Sequence, residues 1–218
     1  MRLSFEQERI NKYYSKRAKR YNARMDATFE VSGARSTLVG MLDIQPGQRI
    51  LEVGVGTGKN LKHLAPYLNN GAKFVGVDIN PAMLALAKET IEDLCLAGAS
   101  LATCSADYLS FSNGQFDMGF MTYALSGIPP NHAALSELGR AVKPGGTIGI
   151  LDFNHNGLYF DEMPGGGFVP MNLSDLIWAS DLHITDRIPV TNPRRWVSPY
   201  YQSIYILKVP EQVPCQPK

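Results

Sequence analysis

The chain has 218 residues, 44% of them hydrophobic and 19% charged, with a formal net charge of +1. That length and apolar content suit a single domain with a real core, and the near-zero charge excludes a bulk attraction to nucleic acid. Three cysteines, Cys95, Cys104 and Cys215, form no C-x-x-C pair, which points to reduced thiols and against a disulfide frame or a zinc site.

Charge is unevenly spread along the chain. Residues 1 to 24 hold eight Lys or Arg against two Glu, about +6, which leaves about −5 for the remainder. Within this segment Ile10, Tyr13 or Tyr14, Ala18, Tyr21 and Met25 recur at helical spacing, and Ser4 with Gln7 forms a capping-box pattern, so a helix is predicted over 4–25. A second helix is predicted over 28–42, ending before the Pro46-Gly47 turn. No signal peptide and no apolar run long enough to span a bilayer is expected.

An alternation of strands and helices follows. Strands are predicted near 49–54, 73–78, 100–105, 116–122 and 147–153, and helices near 58–68, 81–97 and 131–142. That order implies a parallel sheet with helices on both faces. A weaker strand near 182–188 and a β-rich run at 200–209 complete the pattern. The first strand runs directly into Gly54, Gly56 and Gly58 in RILEVGVGTGKNL. Glycines at such a turn let backbone approach a ligand, and the amides at the next helix start favour polar or anionic groups. A dinucleotide fingerprint requires G-x-G-x-x-G; here the third glycine comes one residue early and an acid, Glu52, stands two residues before the first.

This loop resembles motif I of class I S-adenosylmethionine-dependent methyltransferases. Three further segments resemble the same family in order and spacing: KFVGVDINPAML at 73–84, CSADYLSF at 104–111, and FDMGFMTYAL at 116–125 followed by VKPGG at 142–146. The resemblance covers about residues 20–155 and implies a Rossmann-like α/β fold. Its seven-stranded, mostly parallel sheet has an antiparallel terminal hairpin, helices on both faces and an N-terminal helical lid. One domain is expected over 1–218, with a lid at 1–42, a cofactor-binding core at 43–153 and an acceptor-side segment with the terminal strands at 154–218.

The implied cofactor is S-adenosylmethionine, and no metal is expected. Asp78 is placed to grip ribose hydroxyls and Asp107 to accept from the adenine amine, with Tyr108 or Leu109 packing on the ring. Glu52, Gly54, Gly56, Gly58, Ile79, Met83, Thr122 and Tyr123 are the other cofactor contacts that the resemblance implies in the core. YYSKRAKRYNARM resembles the segment that lies over the cofactor in the family, and Tyr13, Tyr14 and Tyr21 are the matching aromatics. The same basic amphipathic stretch also suits peripheral contact with an anionic membrane through residues 1–24.

A sulfonium methyl is already activated, so alignment of an acceptor suffices and no acid or base is obligatory. Where a base helps, His155 in LDFNHN, just past the fifth strand, is the candidate; His132 opens a helix, and His63 and His183 fall in regular elements. Asp152 or Asn154 at that strand's end suits holding an acceptor, and an acid there equally suits binding of backbone amides. The acceptor is expected to be a small or lipid-like molecule and not nucleic acid, its pocket shaped by 154–200 and the N-terminal helices. LEVGVGTGKNL, VKPGG and ILDFN resemble most the branch of quinone-biosynthesis C-methyltransferases and bacterial phospholipid N-methyltransferases. A cytoplasmic protein, peripheral at the inner membrane surface, is the expected setting. The alternatives are a non-catalytic S-adenosylmethionine-binding partner protein and a nicotinamide-dependent oxidoreductase.

Overall fold

A computed structural model describes residues 4–28, 33–128, 131–153, 172–190 and 202–211. The chain begins with helix α1 (Phe5–Thr28), whose start is closed by the Ser4/Gln7 pair: Ser4 N–H donates to Gln7 Oε1 at 2.9 Å and Gln7 N–H to Ser4 Oγ at 3.2 Å. Helix α2 (Ala34–Met41) starts six residues later than the sequence pattern predicts. Gly33 precedes it with φ 65°, a left-handed turn that separates it from what comes before.

The alternating part then runs β1 (Arg49–Val53), α3 (Leu61–Asn69), β2 (Lys73–Asp78), α4 (Pro81–Asp93), β3 (Ala99–Thr103), β4 (Phe116–Thr122), a short 3-10 turn (Leu125–Gly127), α5 (Asn131–Ala141) and β5 (Val142–Phe153). Pairing of β5 begins at Val142 opposite Phe116, and a register irregularity covers the glycine-containing stretch before it resumes at Thr147 opposite Met118. Helix α6 (Leu173–Trp178), which the sequence pattern does not predict, precedes β6 (His183–Val190) and β7 (Gln202–Lys208).

Among the described residues seven strands form one sheet in the order β3-β2-β1-β4-β5-β7-β6. The first five are parallel; β7 runs antiparallel to β5, and β6 antiparallel to β7. This is the expected class I methyltransferase architecture, with its reversed terminal strands.

Side-chain alternation along the strands feeds two apolar cores, one on each face. Leu51, Val53, Ile148, Ile150, Tyr205 and Leu207 pack against Leu135 and Leu138 of α5 and Leu173 and Ile177 of α6. Ile50, Phe74, Met118, Phe120, Ile204 and Ile206 pack against Leu38 and Leu42 of the α2 region and Leu61, Leu64 and Leu68 of α3. Strand order reverses between β1 and β4, so the carboxyl ends of these strands part and leave a crevice there, the standard ligand position in open α/β sheets. No described helix is long and apolar enough to cross a membrane.

Candidate functional site

A cleft of about 770 Å³, counted out to its open mouth, lies across the carboxyl ends of β1, β2, β3 and β4. Its floor is the turn after β1. Gly54 has φ 77°, and a Cβ there would meet the Ala124 Cβ at 2.5 Å, so the turn is compatible only with glycine. Gly56 has φ 55° and nothing within 4 Å of an added Cβ: its open side faces the cleft, where a ligand can press against backbone. Gly58, with φ 79°, packs closely on Leu61 and Ala87 and serves the joint between the loop and the helices.

Asp78, at the end of β2, ties this floor to the next wall. Its Oδ2 accepts the Gly56 N–H and its Oδ1 the Asn80 N–H, each at 2.9 Å. Burial pushes the Asp78 carboxyl above the ordinary range, against the lowering effect of the amides of Asn80, Gly56 and Ile79. Asn80 caps α4, its side chain accepting from the Ala82 and Met83 amides, with Pro81 in the first turn. Ile79 and Met83 line the same wall, and Val77 lies beside them.

Helix α1 closes the cleft from above. Gln7, Ile10, Asn11 and Tyr14 line it, one helical face at spacings of three and four. Two clasps hold this helix down. At one, Asn80 Nδ2 donates to Asn11 O, Asn11 Oδ1 and Ser15 Oγ at 2.7 to 2.9 Å. At the other, Gln7 reaches Ser105 and Asp107 beyond β3. Tyr14 is the aromatic on the cleft side; Tyr13 stands edge-on against it with ring centroids 5.3 Å apart and is not among the lining residues. The Tyr21 side chain lies outside the described residues.

At the β3 end Ser105 and Ala106 line the cleft, whereas Asp107 is not among the lining residues. Tyr108 is 73% exposed, and Leu109 is buried in the core instead of forming a cleft wall. Arg140 on α5 fixes this segment, donating to the carbonyls of Leu109 and Phe111, while Glu137 accepts the Leu109 amide at 2.8 Å. The Arg140 hydrogen bond holds the Glu137 carboxyl below its ordinary range.

At the β4 end Tyr123 lines the cleft in a left-handed conformation, φ 53°, costly for an aromatic residue. Three contacts hold it there: its N–H donates to Leu151 O at 2.7 Å, its hydroxyl to Gln202 Oε1 at 2.8 Å, and the Arg35 guanidinium lies 4.9 Å from its ring centroid. Ala124, Gly127 and Ile128 continue this wall. Asp152 is buried and accepts the amide and the hydroxyl of Ser126, the backbone-binding alternative for this acid.

Glu52 and Thr122 do not line the cleft. Alternation along β1 and β4 turns them to the other face of the sheet, with Ile50 and Phe120, where they meet Arg35 and Asn60. Asn60 Nδ2 donates to Glu52 Oε1 at 2.6 Å and to Thr122 Oγ1 at 2.8 Å; Arg35 donates to Asn60 Oδ1 and Thr122 Oγ1. Burial pushes the Glu52 carboxyl up to about 8, partly offset by the Asn60 hydrogen bond and the Arg35 charge. Its Oε2 is the buried side-chain oxygen without a partner among the described residues. Burial thus favours the neutral acid at Glu52 near neutral pH, on the sheet face opposite the cleft.

His155 lies outside the described residues, as does the 157–171 stretch expected to form an acceptor wall. Gln7, Asn11, Asn80 and Arg35 were not legible as site residues, because each acts on partners distant in sequence. For Gln7 the capping-box pattern marks the position but not its second role.

Residues 50–146 match a family model described as a methyltransferase domain. The chain is 30% identical over 149 residues to the demethylmenaquinone methyltransferase of Bacillus cereus, covering 67% of this chain and 63% of that protein. It is 28% identical over 116 residues to the ubiquinone/menaquinone biosynthesis C-methyltransferase UbiE of Cupriavidus pinatubonensis, covering 53% of this chain and 47% of that protein. The aligned part therefore spans about half to two thirds of these relatives' length. Among solved structures, that of the [4+2]-cyclase SpnF superposes with a TM-score of 0.78 at 17% identity, covering 94% of this chain and 96% of that one, a likeness of fold alone.

The cleft fits the cofactor of this fold. Open backbone at Gly56, a carboxyl at Asp78, apolar Ile79 and Met83, and polar Ser105 all line it, the mix of groups that a nucleoside with a polar tail needs. The chain has the class I S-adenosylmethionine-binding methyltransferase fold, and S-adenosylmethionine is its cofactor.

Proposed function

We propose that this protein is an S-adenosylmethionine-dependent methyltransferase acting on a small-molecule or lipid-like acceptor: a quinol, a phospholipid amine, a phenol or an amine. The observation that carries this reading is the tie between Asp78 and Gly56, which sets a ribose-binding acid and an open glycine side by side at the strand-order switch. The cofactor supplies an activated methyl on sulfonium. Asp78 holds the ribose hydroxyls, Gly54 and Gly56 let the backbone close on the cofactor, Ile79 and Met83 flank the base, and Tyr14 and Tyr123 border the methionine part. Helix α1 covers one side of the cleft and limits the access of water, leaving alignment of the acceptor as the main requirement.

The acceptor side falls to the β4 and β5 ends and to 154–200, within one domain spanning the chain. His155, just past β5, is the base for acceptors that must lose a proton. The relatives named for quinone methylation support a quinol-like ring as the first acceptor to try. The outward face of α1 presents Phe5, Arg9, Lys12 and Lys16 to solvent, which supports peripheral docking of a cytoplasmic protein on an anionic membrane.

The test is methyl transfer by purified protein to a panel of quinols, phospholipids, phenols and amines, read as S-adenosylhomocysteine release. Turnover with one class identifies the acceptor. Cofactor binding without turnover on any class favours the second reading, a protein that keeps the cofactor pocket for another purpose; the cyclase name attached to a structure of the same fold supports keeping it. Removing residues 1–24 separates the roles of α1: loss of cofactor affinity marks a lid, loss of anionic-vesicle binding alone marks an anchor.

A further inference from the structure

Helix α1 carries two stripes. Gln7, Ile10, Asn11 and Tyr14 line the cleft, whereas Phe5, Arg9, Lys12 and Lys16, at spacings of four, three and four, are exposed. At 3.6 residues per turn the centres of the two stripes lie about 180° apart, so one helix faces the cleft with one side and solvent with the other. Three cations follow a Phe5 ring that is 82% exposed, and Glu8 stands at the margin of the stripe. Such a surface complements an anionic bilayer, which offers phosphates to the cations and the headgroup boundary to the ring.

The hold on this helix is polar. Among the described residues none of α1 belongs to either apolar core of the sheet. Asn80 Nδ2 ties its middle to Asn11 and Ser15 at 2.7 to 2.9 Å, and Gln7 Nε2 ties its start to Ser105 at 3.2 Å and Asp107 at 3.0 Å. Hydrogen bonds exchange with water at small net gain, so a segment held chiefly by them opens more readily than a core element. Off the cleft, a helix with polar residues on both faces is not stable alone. Like charges one turn apart, Arg9 with Lys12 and Lys12 with Lys16, weaken it further. An anionic surface removes that repulsion, and it meets the cations already aligned only while α1 is helical and docked.

We propose that the outer stripe of α1 is a docking surface for anionic lipid and that the docked helix links this surface to the cleft, so that membrane and cofactor each strengthen the binding of the other. The proposal rests on the cofactor reading above and goes beyond peripheral attachment by fixing the sign of the coupling. Linkage is reciprocal: the factor by which the surface raises cofactor affinity is the factor by which cofactor raises affinity for the surface. Cofactor-loaded protein is thereby concentrated where a lipid-like acceptor resides.

The test is calorimetric titration of the full chain with S-adenosylhomocysteine at low ionic strength, without vesicles, with phosphatidylcholine vesicles, and with vesicles that also contain phosphatidylglycerol. The anionic vesicles are expected to raise the affinity about fivefold or more, and phosphatidylcholine alone to leave it unchanged. Vesicle flotation with and without S-adenosylhomocysteine should give the same factor in the other direction. The variant Arg9→Gln/Lys12→Gln/Lys16→Gln should keep its affinity in solution and lose the response to vesicles. Asn11→Ala, which loosens the clasp at Asn80, should bind more weakly in solution and gain more from anionic vesicles than wild type does. Vesicle binding with unchanged cofactor affinity would reduce the stripe to an anchor, and lowered affinity would mean that the bilayer pulls α1 off the cleft. Absence of vesicle binding, or an equal rise with soluble RNA, would deny the lipid partner. Loss of solution affinity in the triple variant would make the cations part of the clasp. Each of these overturns the proposal and leaves the cofactor reading intact, whereas failure of the wild type to bind S-adenosylhomocysteine under any condition would remove that reading itself.

Discussion

Asp78 Oδ2 accepts the backbone N–H of Gly56 at 2.9 Å, joining residues 22 apart in sequence across the carboxyl ends of β1 and β2. One side chain thereby shapes the glycine turn and lines the cleft. Asp78→Ala should weaken cofactor binding by about 1 to 3 kcal/mol, the range for leaving a buried hydrogen-bonding partner unpaired. Asp78→Asn keeps the size but sets an NH2 donor against either the Gly56 or the Asn80 N–H, so it should not restore wild-type affinity. Isothermal titration of both variants measures the difference; equal affinity to wild type in Asp78→Ala would remove this acid from the site.

Gly56→Val addresses the cleft floor. A β-branched residue at φ 55° strains the backbone by about 1 to 2 kcal/mol, which lowers the melting temperature of a chain this size by about 2 to 8 °C. Its side chain would stand in the open space toward the cleft. The expected result is a folded protein without measurable cofactor binding, checked by thermal melting and titration on the same sample.

Asn80 serves two elements at once, capping α4 through its oxygen and holding α1 through its nitrogen. Asn80→Ala should cost about 0.5 to 2 kcal/mol for the cap alone. It should also speed hydrogen exchange in the first three turns of α1 far more than in α3, which shares no contact with this clasp. Uniform acceleration across both helices would mean that only global stability fell.

Glu52 sets a pH dependence of stability. Its carboxyl titrates near 4.5 when the chain is unfolded and near 8 when folded, so between those values the folded state holds the extra proton. The stability this group contributes is therefore fully present below about pH 4.5 and is lost as pH rises toward 8, by at most about 1.4 kcal/mol per pH unit. Glu52→Gln, a neutral isostere, should flatten that part of the curve and raise stability at pH 8 relative to wild type. Denaturant titrations at pH 6, 7 and 8 read the slope; identical slopes in both proteins would contradict the buried neutral acid.

Much of this was legible in the sequence for a definite reason. Gly54 and Gly56 mark a left-handed turn that few other residues adopt, Asp78 ends a run of apolar β-formers, and Ser4 and Gln7 carry a local capping pattern; each signal is contained within a few residues. The strands at 73–78 and 116–122 follow from the same local patterning. What sequence could not carry was orientation. Glu52 stands two residues before the glycines, yet strand alternation turns it to the face opposite the cleft, where Asn60 and Arg35 wait from separate helices. Tyr13 and Tyr14 are equal as letters, and only the docking of α1 on Asn80 brings Tyr14 to the cleft. Gln7 reaches Asp107 across 100 positions, beyond any local pattern. Helix α6 is six residues long, too short for periodicity to show, and is defined by the Asn172 cap and by burial of Leu173 and Ile177.

The most direct test of the account is calorimetric titration of the purified chain with S-adenosylmethionine, S-adenosylhomocysteine and NADH. Micromolar binding of the first two with no heat from NADH is the predicted result. Binding of NADH alone, or of none of the three, would contradict it.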